Sequence, residues 1–302
     1  MFPIGNWKNT RGAVWSLPTQ KHSFDMTDQT IGSWLRNFDD PVRKERIRKI
    51  GLLTGLRFDK ERGYYPPNFE RGLILDRLIE TRKPARVLEI GTGRGLGSFA
   101  ISAAAETYGV PCEVDTCDLI APNVAQEWAI EIDGKQEVRR ASCAEIWETH
   151  LRPLRSRIHT VTGRTTDTLP SLAGLQKKYD LIFIDAGHDL FSVAHDLAYS
   201  TMLLAPGGAI LMDDYAPLEP FGLGTCVVAA HVRRFFSKVE IFPTEGLIYG
   251  GTDTPDSPRG MLLLSAMKGV PKFNRTRLLW WRFAGTVLDL CYRTPLFPLA
   301  TE

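Results

Sequence analysis

Acidic side chains stand where several apolar runs of this chain end. Glu89 lies near the end of the first run, Asp185 ends a later one, and the pair Asp213 and Asp214 ends a third. Asp118 ends a further predicted strand. Because ligands of open α/β sheets bind outside the carboxyl ends of the strands, we expect these acids to meet at one binding edge. Several carboxylates together require positive charge nearby, which a cationic cofactor or a metal ion supplies.

A glycine-rich turn follows the first run, with the sequence Gly91-Thr92-Gly93-Arg94-Gly95-Leu96-Gly97. Glycine permits positive φ and a close approach of the backbone to a ligand, and a helix over 97–108 would aim free N–H groups at it. A dinucleotide fingerprint requires glycine where this chain has Leu96. Glu89 would also repel a phosphate, but it suits a positively charged amino-acid group. The turn therefore favours S-adenosylmethionine as the cofactor.

Asp118 ends the second predicted strand, where its two carboxylate oxygens can accept hydrogen bonds from two ribose hydroxyls. Asp115, one pleat deeper in the strand, is the rival for this role. Arg164 and Thr165 follow the third strand, and they either face the adenine or only shape a loop. The residues that we expect to bind the cofactor are Glu89, Gly91, Thr92, Gly93, Gly95, Asp118, Thr165 and Asp185.

Asp185, Asp213 and Asp214 also form a candidate metal site. Three oxygen donors suit a hard divalent ion such as Mg²⁺, which keeps its remaining positions for water or substrate. Alternatively, Asp213 or Asp214 caps the following segment and Asp185 only polarises a base. His188 can accept a hydroxyl proton near neutral pH, unless it merely orients a carboxylate. The candidates for the catalytic base are therefore His188 and Asp185.

Alternating strand and helix patterns predict an α/β fold with a doubly wound, mostly parallel sheet and helices on both faces. A helix over 69–81 should cover the sheet before its first strand. The connection over 119–157 exceeds what a crossover needs, so it is either an insertion over the substrate or an extra helical layer with buried Trp128 and Trp147. Strands are predicted over 86–90, 113–118, 158–162, 181–185, 209–213, 239–242 and 260–266.

Three segments, 89–97, 179–188 and 204–215, together resemble the class I S-adenosylmethionine-dependent methyltransferases. Within that class they are most similar to metal-dependent small-molecule O-methyltransferases of the catechol and antibiotic-sugar types. The resemblance implies a Rossmann-like seven-stranded sheet that ends in a C-terminal antiparallel hairpin. It also implies that the three aspartates form a metal triad, whose ion chelates a hydroxyl of the acceptor. Catechol-type enzymes hold a lysine where this chain has His188, which is a departure from the pattern.

The predicted function is transfer of a methyl group from S-adenosylmethionine to a hydroxyl of a small molecule, with Mg²⁺ chelating the acceptor. One alternative is an N-methyltransferase acting on nucleic acid or protein. Such relatives often carry Asn/Asp-Pro-Pro-Tyr/Phe after the fourth strand, whereas residues 185–188 read Asp-Ala-Gly-His. The other alternative is a non-catalytic scaffold that binds the cofactor and docks through the C-terminal tail.

We divide the chain into an N-terminal helical extension (1–63), a methyltransferase domain (64–268) and a C-terminal amphipathic tail (269–302). The tail interleaves basic and aromatic residues with apolar ones, as Arg275, Trp280, Trp281 and Leu288 show. We expect it to pack on the domain or to form a dimer seam, which leaves a homo-oligomer open. A membrane interface is the less favoured alternative.

The bulk properties exclude several other classes of protein. The net charge of +2, from 37 basic and 35 acidic residues, gives no reason to expect nucleic acid as a partner. The five cysteines show no CxxC spacing, which favours a reducing compartment over a disulfide framework. Neither a secretory signal nor a membrane-spanning run is evident, so we expect a soluble, cytoplasmic protein.

Overall fold

The structure is a computed structural model, and it describes residues 40–61, 63–65, 67–216, 223–243 and 260–269. The predictions for the first 39 residues and for nearly all of the tail lie outside this part of the chain.

The described elements alternate between helix and strand. In chain order the first are α1 (Pro41–Thr54), β1 (Arg57–Asp59), β2 (Gly63–Tyr65), α2 (Phe69–Arg82), β3 (Arg86–Ile90), α3 (Leu96–Thr107) and β4 (Glu113–Asp118). There follow β5 (Ala125–Ile132), β6 (Lys135–Ser142), α4 (Cys143–His150), α5 (Arg152–Arg155), β7 (Ile158–Thr162), α6 (Thr165–Gly174), β8 (Tyr179–Ile184) and α7 (Leu190–Leu203). The last are β9 (Leu204–Tyr215), α8 (Leu223–Val232), a 3₁₀ turn (Arg233–Phe235), β10 (Phe236–Pro243) and β11 (Gly260–Met267).

A seven-stranded sheet forms the centre of the molecule, with the order β10-β11-β9-β8-β3-β4-β7. The strands from β7 to β9 in this order run parallel, and β11 is antiparallel to both of its neighbours. This sheet confirms the predicted fold class. Neighbouring residues such as Val87 and Leu88 join different hydrophobic clusters, because successive strand side chains point to opposite faces.

The helix α1 shares the apolar core on one of these faces. Its Ile47 and Ile50 belong to the same cluster as residues of α2, α3 and the sheet. A buried ionic group adds to this contact, since Asp76 of α2 meets Arg43 Nε at 3.2 Å and an Arg46 guanidinium nitrogen at 3.6 Å. The Tyr108 hydroxyl lies 3.1 Å from the same carboxylate. Apolar packing and buried charge thus fix α2 between α1 and α3.

The connection between β4 and β7 is not the purely helical layer of one alternative, and its role in covering the substrate stays a prediction. It forms an antiparallel hairpin, β5 with β6, followed by α4 and α5. The hairpin turns at Asp133 and Gly134, both with positive φ, as a two-residue turn of this kind requires. Trp128 and Trp147 are buried as expected. The Trp128 indole donates to the Leu53 carbonyl at 2.8 Å, so the hairpin packs on α1.

Among the described helices, none has both the length and the apolar character needed to cross a bilayer.

Candidate active site

The glycine turn after β3 is locked to the end of β8. Gly91 has φ of +98°, and a Cβ there would overlap the Asp185 carbonyl group. The Asp185 N–H donates to the Ile90 carbonyl at 2.8 Å. Glycine at position 91 therefore serves the fold itself, since it allows the turn and the acidic end of β8 to lie side by side.

A small pocket opens beside this turn, and Asp118 stands at its wall. The Asp118 carboxylate accepts from the N–H of Gly93 at 2.7 Å and from the N–H of Ile120 at 2.9 Å. Open space adjoins Gly93. The lining includes Thr92, Gly93, Asp118, Ile120, Trp147 and Thr162. A carboxylate, backbone groups and an aromatic ring are groups that could bind a nucleoside, and the binding of S-adenosylmethionine here stays a prediction.

The structure separates the rival candidates for that pocket. Asp115 is engaged elsewhere, because it accepts from Lys177 Nζ at 2.8 Å and from the Tyr179 hydroxyl at 2.6 Å. Thr165 is the first residue of α6 and is not among the residues that line the pocket, whereas Thr162 at the end of β7 is. Gly95 packs against Trp147. The roles of these residues in cofactor binding stay predictions.

The sequence predicts at most that Trp147 is buried, but the structure shows that it also connects the insertion to the pocket. Its indole donates to the Arg94 carbonyl at 3.0 Å, and its ring meets Phe99 edge-on at 5.4 Å. The only sequence signal for it is a large aromatic residue within a segment that is too long for a simple crossover.

Glu89 lies beneath the turn rather than in the open pocket. Its side chain is buried, and it accepts hydrogen bonds from the hydroxyls of Ser98 and Thr116. A Cβ at Gly97 would overlap this carboxylate. Burial raises the pKa of Glu89 to about 7, although both hydroxyls oppose the shift. The predicted contact of Glu89 with the amino group of the cofactor stays a prediction.

The three predicted metal ligands lie together at the edge of the sheet. One oxygen each of Asp185, Asp213 and Asp214 lies within 4.8 Å of the others. Asp213 is buried, and the other two are partly exposed. Asp214 has φ of +56°, and this left-handed conformation interrupts the alternation of side chains along the end of β9.

Arg71, which the sequence did not indicate, occupies the gap between two of these aspartates. Its guanidinium forms ion pairs with Asp185 and with Asp213. Burial lowers the pKa of Arg71, but the negative charges of Asp185, Asp213 and Asp214 outweigh it and leave the pKa raised. The pKa of Asp185 is raised well above its usual value because burial and the neighbouring aspartates outweigh the attraction of Arg71.

Carboxylates suit Mg²⁺, and one oxygen of each aspartate lies close enough to share an ion, but the Arg71 guanidinium contacts two of the three. A divalent ion bound by Asp185 and Asp213 would have to displace the Arg71 guanidinium, which contacts both. The residues present therefore do not fit a metal ion in the arrangement that the structure describes. The requirement for Mg²⁺ stays a prediction.

His188 pairs with the remaining aspartate. Its Nδ1 lies 2.7 Å from Asp214 Oδ2, and about half of the imidazole side chain is exposed. The hydrogen bond with Asp214 raises the pKa of His188, with burial opposing the shift. Burial raises the pKa of Asp214, but the bond and charge of His188 outweigh it and leave this pKa lowered. The predicted base and a carboxylate that orients it are thus joined at the acidic edge.

The sheet order, the glycine turn and the acidic edge are features that the resemblance to class I methyltransferases implies. Residues 88–215 match a family described as a methyltransferase domain. This match confirms the prediction of an S-adenosylmethionine-dependent methyltransferase. No curated protein matches the chain.

Solved structures of similar shape exist, all at low sequence identity. A putative O-methyltransferase from Klebsiella pneumoniae is 18% identical, with 77% of this chain and 94% of that chain covered and a TM-score of 0.48. The O-methyltransferase from Bacillus cereus in complex with SAH is 16% identical, with 78% and 97% covered and a TM-score of 0.47. The O-methyltransferase TomG from Streptomyces achromogenes is 16% identical, with 78% and 96% covered and a TM-score of 0.48. At these values no functional argument rests on the likenesses.

Proposed function

We propose that this chain transfers a methyl group from S-adenosylmethionine to a hydroxyl group of a small molecule. The observation that carries the proposal is the His188–Asp214 pair, which lies at the same edge of the sheet as the glycine turn. A histidine held by a carboxylate is a suitable group to accept a hydroxyl proton near neutral pH. An amino acceptor would depend less on such a base, because a neutral amine is nucleophilic enough to attack the methyl group before it loses a proton.

The turn from Gly91 to Gly95 and the Asp118 carboxylate would hold the cofactor. When bound, it supplies a methyl group already activated on a sulfonium. The remaining tasks of the protein are to align the acceptor and to remove its proton.

His188 is the group that we assign to proton removal. Nδ1 is held by Asp214, so the neutral imidazole carries its lone pair on Nε2, and Asp214 stabilises the imidazolium that forms. Asp185, the other candidate, is engaged by the Arg71 guanidinium. We therefore assign to Asp185 the role of holding Arg71 in place, and to His188 the role of accepting the proton from the acceptor hydroxyl.

The proposal is tested with purified protein, labelled S-adenosylmethionine and an extract of hydroxylated metabolites. We expect His188→Ala to bind the cofactor normally and to lose about 10²- to 10⁴-fold in the rate of methyl transfer, the usual contribution of a general base. His159→Ala is the matched control. His159 also pairs with a carboxylate, Glu113, at 2.8 Å, but it lies near the amino ends of the strands.

Two results would contradict the proposal. One is a His188→Ala protein as active as the His159→Ala protein. The other is a labelled product in which mass spectrometry places the methyl group on nitrogen, which would favour the N-methyltransferase alternative. Labelled cofactor bound without any turnover would favour the scaffold alternative instead.

A further inference from the structure

We propose that Arg71 supplies the positive charge that a divalent ion supplies in metal-dependent methyltransferases, so that this chain works without a metal. The inference rests on the proposed function, since it concerns the same edge of the sheet. It replaces the expected Mg²⁺ with a side chain of the protein itself.

The first argument is the position of the guanidinium. Arg71 contacts Asp185 through one terminal nitrogen and Asp213 through the other, and only about a fifth of its side chain is exposed. A magnesium ion requires ligand oxygens at about 2.0–2.1 Å in near-octahedral geometry. Arg71 already contacts one oxygen of each carboxylate, and its positive charge would repel a divalent ion at the other oxygens. The two cations therefore exclude each other.

The second argument is where the sequence places this cation. Arg71 is the third residue of α2, and its backbone N–H donates to the capping Asn68 side chain at 3.3 Å. The positive end of a helix dipole disfavours a cation in the first turn. The negative charges of Asp185 and Asp213 compensate for this unfavourable interaction with the helix dipole. The position of Arg71 is therefore explained by its ion pairs with these aspartates and not by the residue preferences of a helix N-terminus.

The third argument is the cost of moving Arg71 away. Asp213 is almost entirely buried, and an ion that took over its carboxylate and that of Asp185 would leave the Arg71 guanidinium without these partners. An unpaired buried charge destabilises a protein strongly, and an arginine cannot relieve the loss by becoming neutral. The helix that carries Arg71 is itself fixed by the buried group of Asp76, Arg43 and Arg46. A metal ion would have to compensate for all of this before it gained any affinity.

A consequence follows for the acceptor. A metal ion acidifies a bound hydroxyl and favours acceptors with two chelating oxygens. A guanidinium only donates hydrogen bonds and charge, so a second oxygen on the acceptor is not required. Proton removal then depends on His188 and Asp214.

The test measures metal binding directly, apart from activity. Manganese is titrated into the intact protein, and the loss of the free-ion signal in electron paramagnetic resonance reports binding. We expect no saturable site in the wild-type protein and no change of its melting temperature with chelator. In Arg71→Ala the gap is open, so we expect one manganese site and a rise in melting temperature of roughly 5 °C or more with saturating Mg²⁺.

Two controls make the outcome specific. Arg71→Lys keeps a cation at the edge and should not gain the site. Adding Asp213→Asn to Arg71→Ala should remove the gained site, because it removes a ligand. A wild-type protein that binds manganese through Asp213 would overturn the inference. If Arg71→Ala does not fold, the titration of the wild-type protein decides the question by itself. A folded Arg71→Ala protein without gained binding would overturn it too. Failure of methyl transfer would instead count against the proposed function, since no step of this test uses turnover.

Discussion

At the scale of single residues, burial raises the pKa of two carboxylates near this sheet edge, although their partners differ. Asp213 and Glu89 are both almost fully buried. Asp213 touches the Arg71 guanidinium, whereas the direct contacts of Glu89 are the neutral hydroxyls of Ser98 and Thr116. Hydroxyls compensate less than a cation does, so Glu89 remains partly protonated near neutral pH. An incoming ammonium group would reverse that balance.

We predict that cofactor binding therefore depends on the ionisation of Glu89. Its pKa is raised to about 7, so a proton must leave before the carboxylate can face the ammonium of the cofactor. Below pH 7 the affinity should fall by about tenfold per pH unit, and Glu89→Gln should bind more weakly with no such dependence. Calorimetric titrations with S-adenosylhomocysteine on both sides of pH 7 measure this. Equal pH slopes in the two proteins would count against the predicted contact.

The same pKa predicts the stability of the ligand-free protein, with a definite sign. The folded pKa lies above the value of 4.5 for the free side chain, so the native state holds a proton that the unfolded state releases. The contribution of Glu89 is fully present below pH 4.5 and is lost as the pH rises to about 7. Urea unfolding should show this loss in the wild-type protein, and Glu89→Gln should lack that component. A variant that keeps the full decline would contradict the prediction.

The sequence revealed most acids of the site but not their cation. Asp118, Asp185, Asp213 and Asp214 each stand at the end of a predicted strand, and these strand ends meet at one edge, so their proximity was predictable. Arg71 lies 114 residues before Asp185, in the first turn of a helix. No local pattern marks such a residue, because only the packing of that helix on the sheet brings it to the aspartates.

At the scale of elements, parallel strands were easier to predict than the insertion. β3, β4 and β7 have the predicted bounds, since each is a short run with β-branched residues between turn residues. The sequence of the insertion does contain one pattern that predicts strands. Asp133-Gly134 between alternating residues is a strong hairpin pattern, and it accounts for β5 and β6. The contact of α4 with the pocket had no comparable signal.

Trp147 of α4 should matter for both stability and cofactor binding. Its ring is buried, packs on Phe99 and lines the pocket next to Asp118. Trp147→Ala should lower the free energy of unfolding by about 3–5 kcal/mol and weaken cofactor binding, because it leaves a cavity in the wall. Trp147→Phe keeps most of the packing but loses the hydrogen bond to the Arg94 carbonyl. Its stability and its cofactor affinity should therefore lie between those of the wild-type protein and those of Trp147→Ala. Urea titration and cofactor calorimetry give the two values.

The two measurements distinguish packing from recognition. A large loss of stability in Trp147→Ala with unchanged cofactor affinity would show that the ring only fills space.

At the scale of the whole molecule, the N-terminal helix and the sheet share one core. α1 contributes Ile47 and Ile50 to the cluster that covers one face of the sheet. Its Arg43 and Arg46 reach the buried Asp76 on the helix that carries Arg71. The acidic edge is thus held in place from a region well before the first strand of the sheet. A substitution in this buried ionic group should therefore affect both the stability of the fold and the geometry of the site.

We predict that Asp76→Ala lowers the free energy of unfolding by about 3–5 kcal/mol, because it leaves Arg43 and Arg46 without their shared buried carboxylate. Glu80→Ala is the matched control on the same helix. Glu80 also pairs with Arg43, at 3.5 Å, but its side chain is about a third exposed, so its loss should cost less than about 1 kcal/mol. Urea unfolding of both variants measures the difference. Equal losses would show that Asp76 does not anchor the helix. A larger loss for Asp76→Ala, accompanied by weaker methyl transfer, would show that the position of Arg71 depends on it.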